Sequence, residues 1–334
     1  MRRKAGLSMS GVHAACLAAA GLLAVLVTSG IALRSVAAEA VEICAPAPIR
    51  HAAAPERIIA IDTPDGRIAG TLAGPADTAP EALALMLHGY TGARNEIPVA
   101  GGEGMFARTA RALAERGVAT LRIDFIGSGR SDGDWADTRF STQARDALRA
   151  ATALRAEYAE VKDAADLPLG VLGYSQGGLV ALRAAASGGS GGPSGGGPFD
   201  RLALWNPVMD PMATYAVIFG RETILQGARR HDDGSADIVP ETRLRPGFFA
   251  EIVAADPIAD AAATTAAVLV VTGRRDPLVM DGAALASRMQ AGRSAETRIL
   301  DLDAGHDLGA LREPALLDSV IACTAGFLLG DKDR

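Results

Sequence analysis

The chain has 334 residues, 49% of them hydrophobic, and a formal net charge of −6. That length suits one large domain, or one domain with an insertion, and the apolar content is enough for a sizeable core. Lysine occurs only at Lys4, Lys162 and Lys332, and the only basic block is Arg2-Arg3-Lys4, so nothing favours a nucleic-acid surface. Five histidines and three cysteines are too few to build a metal site, and no cofactor is expected.

The first forty residues read as a targeting segment. The basic start is followed by an apolar run from Ala14 to Leu33, and Ala38-Glu39-Ala40 offers a small-x-small cleavage site. The rival reading is an uncleaved anchor, because twenty apolar residues can span a bilayer. Either reading exports the rest of the chain, by the positive-inside rule. Cys44 and Cys323 are the cysteines left after cleavage, and in an oxidising compartment they form a candidate disulfide; the alternative is two unrelated thiols.

Residues 41–56 are rich in Ala and Pro and read as a linker, so the folded domain is expected over 57–330. Arg57–Asp62 and Arg67–Leu72 flank Thr-Pro-Asp-Gly and read as a hairpin. Apolar strands follow at Ala82–Leu87, Val118–Ile123, Leu167–Gly173, Arg201–Trp205, Ala267–Thr272 and Thr297–Asp301. Helices are expected at Met105–Arg116, Ser141–Val161, after Ser175, near Gly282–Met289, and from about Glu313 to Leu329. Apolar strands alternating with helices predict an α/β fold with a mostly parallel sheet covered on both faces. One span breaks the alternation. Residues 207–265 separate two strands by far more than a connecting helix needs, and they carry much of a small aromatic complement. This span reads as a cap over the site; the alternative is a surface excursion with its own small core.

The pattern G-x-S-x-G occurs at Ser131, Ser175, Ser190 and Ser194. Ser190 and Ser194 lie in a Gly/Ser-rich loop, and no helix starts at Ser131. Only Ser175, in Gly173-Tyr-Ser-Gln-Gly177, has an apolar strand before it and a helical run after it, the context that thrusts a serine out as a nucleophile. A serine needs a base, and the base needs an orienting acid. His13 lies in the targeting segment, His51 in the linker and His231 in a polar part of the cap; His88 precedes Gly89 directly after a strand, where a backbone role fits. His306, in the loop after the last strand, is left as the base. Asp276, behind Gly273 in the loop after the penultimate strand, is the acid, with Asp303 and Asp307 as weaker rivals. The oxyanion donors are expected to be the N–H groups of Gln176, which follows the nucleophile, and of Tyr90, in the loop after the third strand.

His88-Gly-Tyr-Thr-Gly92, Asp124-Phe-Ile-Gly-Ser-Gly-Arg-Ser-Asp-Gly133, the elbow and Gly273-Arg-Arg-Asp276 stand in the order seen in α/β-hydrolases. Over about residues 80–328 the chain resembles the serine aminopeptidase-like group, and within it the feruloyl/cinnamoyl esterase branch; Gly247-Phe-Phe-Ala-Glu-Ile252 resembles that branch's cap exit. The resemblance implies an α/β-hydrolase fold with a small cap, and the roles given above for Ser175, Asp276, His306, Tyr90 and Gln176. It casts Asp124 and the glycines after it as structural. Tyr174 stands where the branch commonly has histidine.

The expected function is a serine ester hydrolase acting on a small-molecule ester, with Trp205, Tyr215, Phe248 and Phe249 as candidate substrate contacts of the cap. Two rivals stand beside it. An exopeptidase or amidase on the same triad would call for a cap acid such as Asp232, Asp233, Asp237, Glu241 or Glu251. A non-catalytic binding protein on a hydrolase scaffold would be expected to have lost a triad residue.

Overall fold

The computed structural model of the chain describes residues 50–161, 166–187, 197–230 and 243–331. The targeting segment, Cys44, the Gly/Ser-rich stretch with Ser190 and Ser194, and the cap stretch with His231, Asp232, Asp233, Asp237 and Glu241 lie outside the described residues.

The strands among the described residues are β1 (Arg57–Thr63), β2 (Gly66–Ala73), β3 (Ala82–Leu87), β4 (Val118–Ile123), β5 (Leu169–Tyr174), β6 (Arg201–Trp205), β7 (Ala267–Gly273) and β8 (Thr297–Leu302). They form one sheet in the order β1-β2-β4-β3-β5-β6-β7-β8. β1 and β2 pair antiparallel, as do β2 and β4, and every later pairing is parallel. The expected mostly parallel sheet with an antiparallel hairpin at its edge is therefore the observed one.

The central strands are apolar throughout because both faces are covered. On β5, Leu169 and Val171 join one core while Leu172 and Tyr174 join the other, following the two-residue period. One face carries α1 (Met105–Ala114) and α9 (Pro314–Leu329). The opposite face carries α2 (Phe140–Glu157), α3 (Gln176–Ser187) and α8 (Gly282–Ala291). The span expected as a cap holds α4 (Pro211–Phe219), α5 (Arg221–Arg229), α6 (Pro246–Ala254) and α7 (Pro257–Ala263). The last of these packs against α3, so it belongs to the body of the sheet and not to the cap.

Residues 50–56, the described part of the expected linker, are tied to the core. The N–H groups of Arg50 and His51 both donate to the carbonyl of Glu115, and Ala54 N–H donates to Gly74. Cys323, in α9, is disulfide-bonded.

Candidate active site

The site forms where three strands end. β5 runs straight into α3 through Ser175, which adopts a left-handed φ of 54°. A non-glycine residue held there costs about 1–3 kcal/mol and persists only when its surroundings enforce it. Here they do. Ser175 N–H donates to the Trp205 carbonyl at 2.9 Å, and its own carbonyl accepts from Gly178 at 3.0 Å and Val208 at 3.1 Å. The elbow also needs its glycines. A Cβ on Gly177 would lie 2.1 Å from the Leu87 carbonyl oxygen. Gly177→Ala must therefore displace the end of β3 or the start of α3, at a cost of about 1–3 kcal/mol; a lowered melting temperature checks this.

Ser175 Oγ–H donates to His306 Nε2 at 3.0 Å, and His306 Nδ1–H donates to Asp276 Oδ2 at 2.6 Å. The other carboxylate oxygen, Asp276 Oδ1, accepts the N–H groups of Leu278 at 2.8 Å and Val279 at 2.9 Å. Both oxygens are thus committed and the carboxylate cannot rotate away. Asp303 is paired with Arg275, and Asp307 accepts the N–H of Leu311. Of the three candidate acids, only Asp276 reaches the imidazole among the described contacts.

Gly89 lies against the elbow: a Cβ there would come 3.3 Å from Ser175 Cβ. Tyr90 follows it, and its ring sits among those of Trp135, Tyr215, Phe219 and Phe248, so the loop after β3 is anchored in the cap. Gln176 is the first residue of α3, and its main-chain N–H is one of those that an α-helix leaves without an intrahelical partner. Its side chain turns elsewhere, donating to Gln143 Oε1 at 2.7 Å and accepting from the Tyr215 hydroxyl. His88 shapes the loop. Nδ1–H donates to the Gly89 carbonyl, Nε2 accepts Phe125 N–H, and burial lowers its pKa to about 4, so the ring stays neutral.

The turn after β4 has the structural role expected of it. Asp124 is fully buried, pairs with Arg94 and accepts the N–H groups of Arg94 and Arg130. Ser131, one of the rejected elbow matches, spends its hydroxyl on the Asp124 carbonyl.

A cleft of about 450 Å³ opens over Ser175 and His306, within the range of small-molecule sites. Tyr90, Tyr174, Tyr215, Val208, Ile218 and Leu278 give it an aromatic and aliphatic lining, and Glu96 is its carboxyl group. Of the four candidate cap contacts, Tyr215 lines the cleft. Trp205, Phe248 and Phe249 do not. Trp205 packs against Phe106 on the α1/α9 face and donates Nε1–H to Thr324. Phe248 and Phe249 are buried in an aromatic cluster with Phe219 that holds the cap helices together. Apolar side chains serve core and cleft equally well, and here the core claims these three.

Two polar residues of this region escaped the sequence reading. Asn206 directly follows β6, and its amide lies between the end of β7 and the loop after β8. Glu96 accepts Gly89 N–H on Oε1 and so braces the loop that carries Tyr90. Burial pushes its pKa from the ordinary 4.5 up to about 7, against the pull of hydrogen bonds from Gly89 and Ile97. The folded state therefore holds a proton that the unfolded chain releases near 4.5, and that contribution to stability fades as pH rises through about 7. Glu96→Gln, a near-isostere of the protonated form, should match wild type in melting temperature at about pH 4, below both pKa values, and exceed it at about pH 8. Thermal unfolding at the two pH values checks this, and parallel curves would refute it.

The model of the family described as serine aminopeptidase, S33, matches residues 79–230. Among solved structures, Est1E of Butyrivibrio proteoclasticus with ferulic acid bound is 22% identical, with a TM-score of 0.59 over 81% of this chain and 98% of that one. The Pyrococcus furiosus esterase Pf2001 is 19% identical, with a TM-score of 0.58 over 82% and 90%. Brefeldin A esterase, a bacterial homologue of human hormone-sensitive lipase, is 18% identical, with a TM-score of 0.55 over 84% and 77%. A comparison with curated proteins finds no match. At these identities the structures speak for the fold, and they agree with the strand order and the elbow: the chain has the α/β-hydrolase fold, and over residues 79–230 it is similar to the serine aminopeptidase family.

Proposed function

We propose that the chain is a serine carboxylesterase with Ser175 as nucleophile, His306 as base and Asp276 as orienting acid. One observation carries this reading: the unbroken hydrogen-bond chain from Ser175 through His306 to Asp276 opens onto a largely apolar cleft. Ser175 Oγ attacks the ester carbonyl while its proton passes to His306 Nε2. The imidazolium is stabilised by the Asp276 carboxylate. The N–H groups of Tyr90 and Gln176 bind the oxyanion, a contribution of about 3–4 kcal/mol for a well-placed donor. Collapse of the tetrahedral intermediate breaks the ester C–O bond, and the leaving alkoxide takes the proton from His306. Water, deprotonated by His306, then releases the acid and restores Ser175 Oγ–H.

The finer reading is an ester of an aromatic acid. The tyrosine-lined cleft supports it, as does the ferulic acid bound by Est1E. The peptidase alternative is less well supported. A peptidase needs a carboxylate to hold a substrate amine, and Glu251, the expected cap acid among the described residues, is spent on Ser141 N–H and Oγ–H at the start of α2. We also propose that residues 1–40 direct export, which sequencing of the mature N-terminus tests.

A panel of aryl and alkyl p-nitrophenyl esters, ferulate esters and aminoacyl p-nitroanilides tests the substrate class. Esters should be turned over faster than anilides, and ferulates faster than acetates. Amide turnover exceeding ester turnover would favour the peptidase. Absence of any turnover or fluorophosphonate labelling would favour a binding protein.

A further inference from the structure

The three proposed catalytic residues sit on three separate loops, so something must hold those loops in register. The structure assigns this task to the segment Trp205–Val208, with Asn206 as a positioning residue for His306 and Asp276; this rests on the triad reading above.

The segment bonds to the elbow, to the end of β7 from which the acid loop leaves, and to the base loop. Around the nucleophile, the Trp205 carbonyl accepts Ser175 N–H, and Val208 N–H donates to the Ser175 carbonyl. Toward the acid, Asn206 N–H donates to the Val271 carbonyl at 2.8 Å, and Asn206 Oδ1 accepts Gly273 N–H at 2.7 Å. Asp276 stands three residues on, with its own N–H donating to the Gly273 carbonyl. Toward the base, Asn206 Nδ2 donates to the carbonyls of His306 at 2.9 Å and Gly305 at 3.2 Å. One amide therefore joins the end of β7, from which the acid loop leaves, to the base loop, and uses its acceptor on the first and its donors on the second.

Three further features fit the assignment. Asn206 is buried and holds a left-handed φ of 40°, a conformation asparagine tolerates better than most residues. The two segments it joins are in tight contact, since a Cβ on Gly273 would lie 2.5 Å from the Ala304 carbonyl oxygen. The His306 carbonyl also accepts the Tyr174 hydroxyl at 3.2 Å, and the Tyr174 ring lies 5.1 Å from the imidazole, so the base is held from two sides. Moving a reacting group by about 1 Å can cost about 100-fold in rate.

The decisive variant is Asn206→Asp. Aspartate tolerates the same backbone and still accepts Gly273 N–H, but it has no proton for the His306 carbonyl and sets oxygen against oxygen. Asn206→Ala removes both bonds. Thr324→Val is the stability control, because it breaks the buried Trp205–Thr324 bond on the far face of the sheet. Each variant is purified as folded protein by gel filtration. We measure its melting temperature, its kcat and KM on an aryl ester, and the low-field proton resonance of His306 Nδ1–H, which needs no substrate. In both Asn206 variants kcat should fall about 10- to 100-fold with KM within about twofold, and the low-field proton should shift or broaden. Thr324→Val should lose melting temperature but keep kcat and the resonance. The proposal is overturned if Asn206→Asp keeps wild-type kcat, or if its loss comes with an unmoved resonance and is matched by Thr324→Val. An active Ser175→Ala would instead sink the triad reading, and the resonance would still report what Asn206 does.

Discussion

Ser175→Ala should lower kcat on an aryl ester by about 10⁴-fold or more and abolish fluorophosphonate labelling. The substitution removes Oγ, the atom 3.0 Å from His306 Nε2, and leaves the rest of the site in place. Alanine keeps the Cβ that serine already carries at φ 54°, so no new clash arises at the elbow. The main-chain bonds to Trp205, Gly178 and Val208 do not involve the hydroxyl. The melting temperature should therefore stay near that of the wild type while turnover collapses. Residual activity would come from the cleft and the oxyanion donors acting on water. Activity within about tenfold of wild type would mean that another group attacks the ester, and the account would fail.

Asp276→Asn should cost kcat about 10⁴-fold with little loss of structure. The two N–H donors from Leu278 and Val279 hold Oδ1, so the asparagine carbonyl takes that place and its amide nitrogen faces the imidazole. Two donors then meet at His306 Nδ1. The ring can relieve the conflict only by moving its proton to Nε2, which leaves nothing at Nε2 to accept the proton of Ser175. Asp303→Asn and Asp307→Asn are the informative controls. Both carboxylates are engaged elsewhere, and both variants should keep kcat near wild type. Loss in either, with Asp276→Asn active, would reassign the acid.

The fold was legible because its strands are buried on both faces. Such strands read as unbroken apolar runs, and β3 to β7 were found within a residue or two of their observed ends. The elbow was legible because a strand and a helix meet at one serine, which context alone separated from Ser131, Ser190 and Ser194. Asp276 and His306 were legible from their places after successive strands. What the sequence could not convey is which apolar environment a side chain chooses. Phe248, Phe249 and Trp205 have the hydrophobicity of cleft residues, yet they fill cores, because strand and helix faces are fixed by three-dimensional packing. Lone polar residues are harder still. Nothing local separates Asn206, buried between the end of β7 and the loop after β8, from an asparagine in a surface turn. Glu96 owes its raised pKa to burial beside a loop seven residues away. A polar residue directly after an apolar strand, as in Trp205-Asn206-Pro207, was the one available hint.

The central claim is that Ser175 becomes covalently acylated. Its most direct test is to treat the wild-type protein with diethyl fluorophosphate, measure the intact mass and map the modified peptide. The account predicts a single diethylphosphoryl adduct on Ser175, with ester hydrolysis lost in step with its formation. An adduct on another residue, or hydrolysis that persists once Ser175 is fully modified, would contradict it.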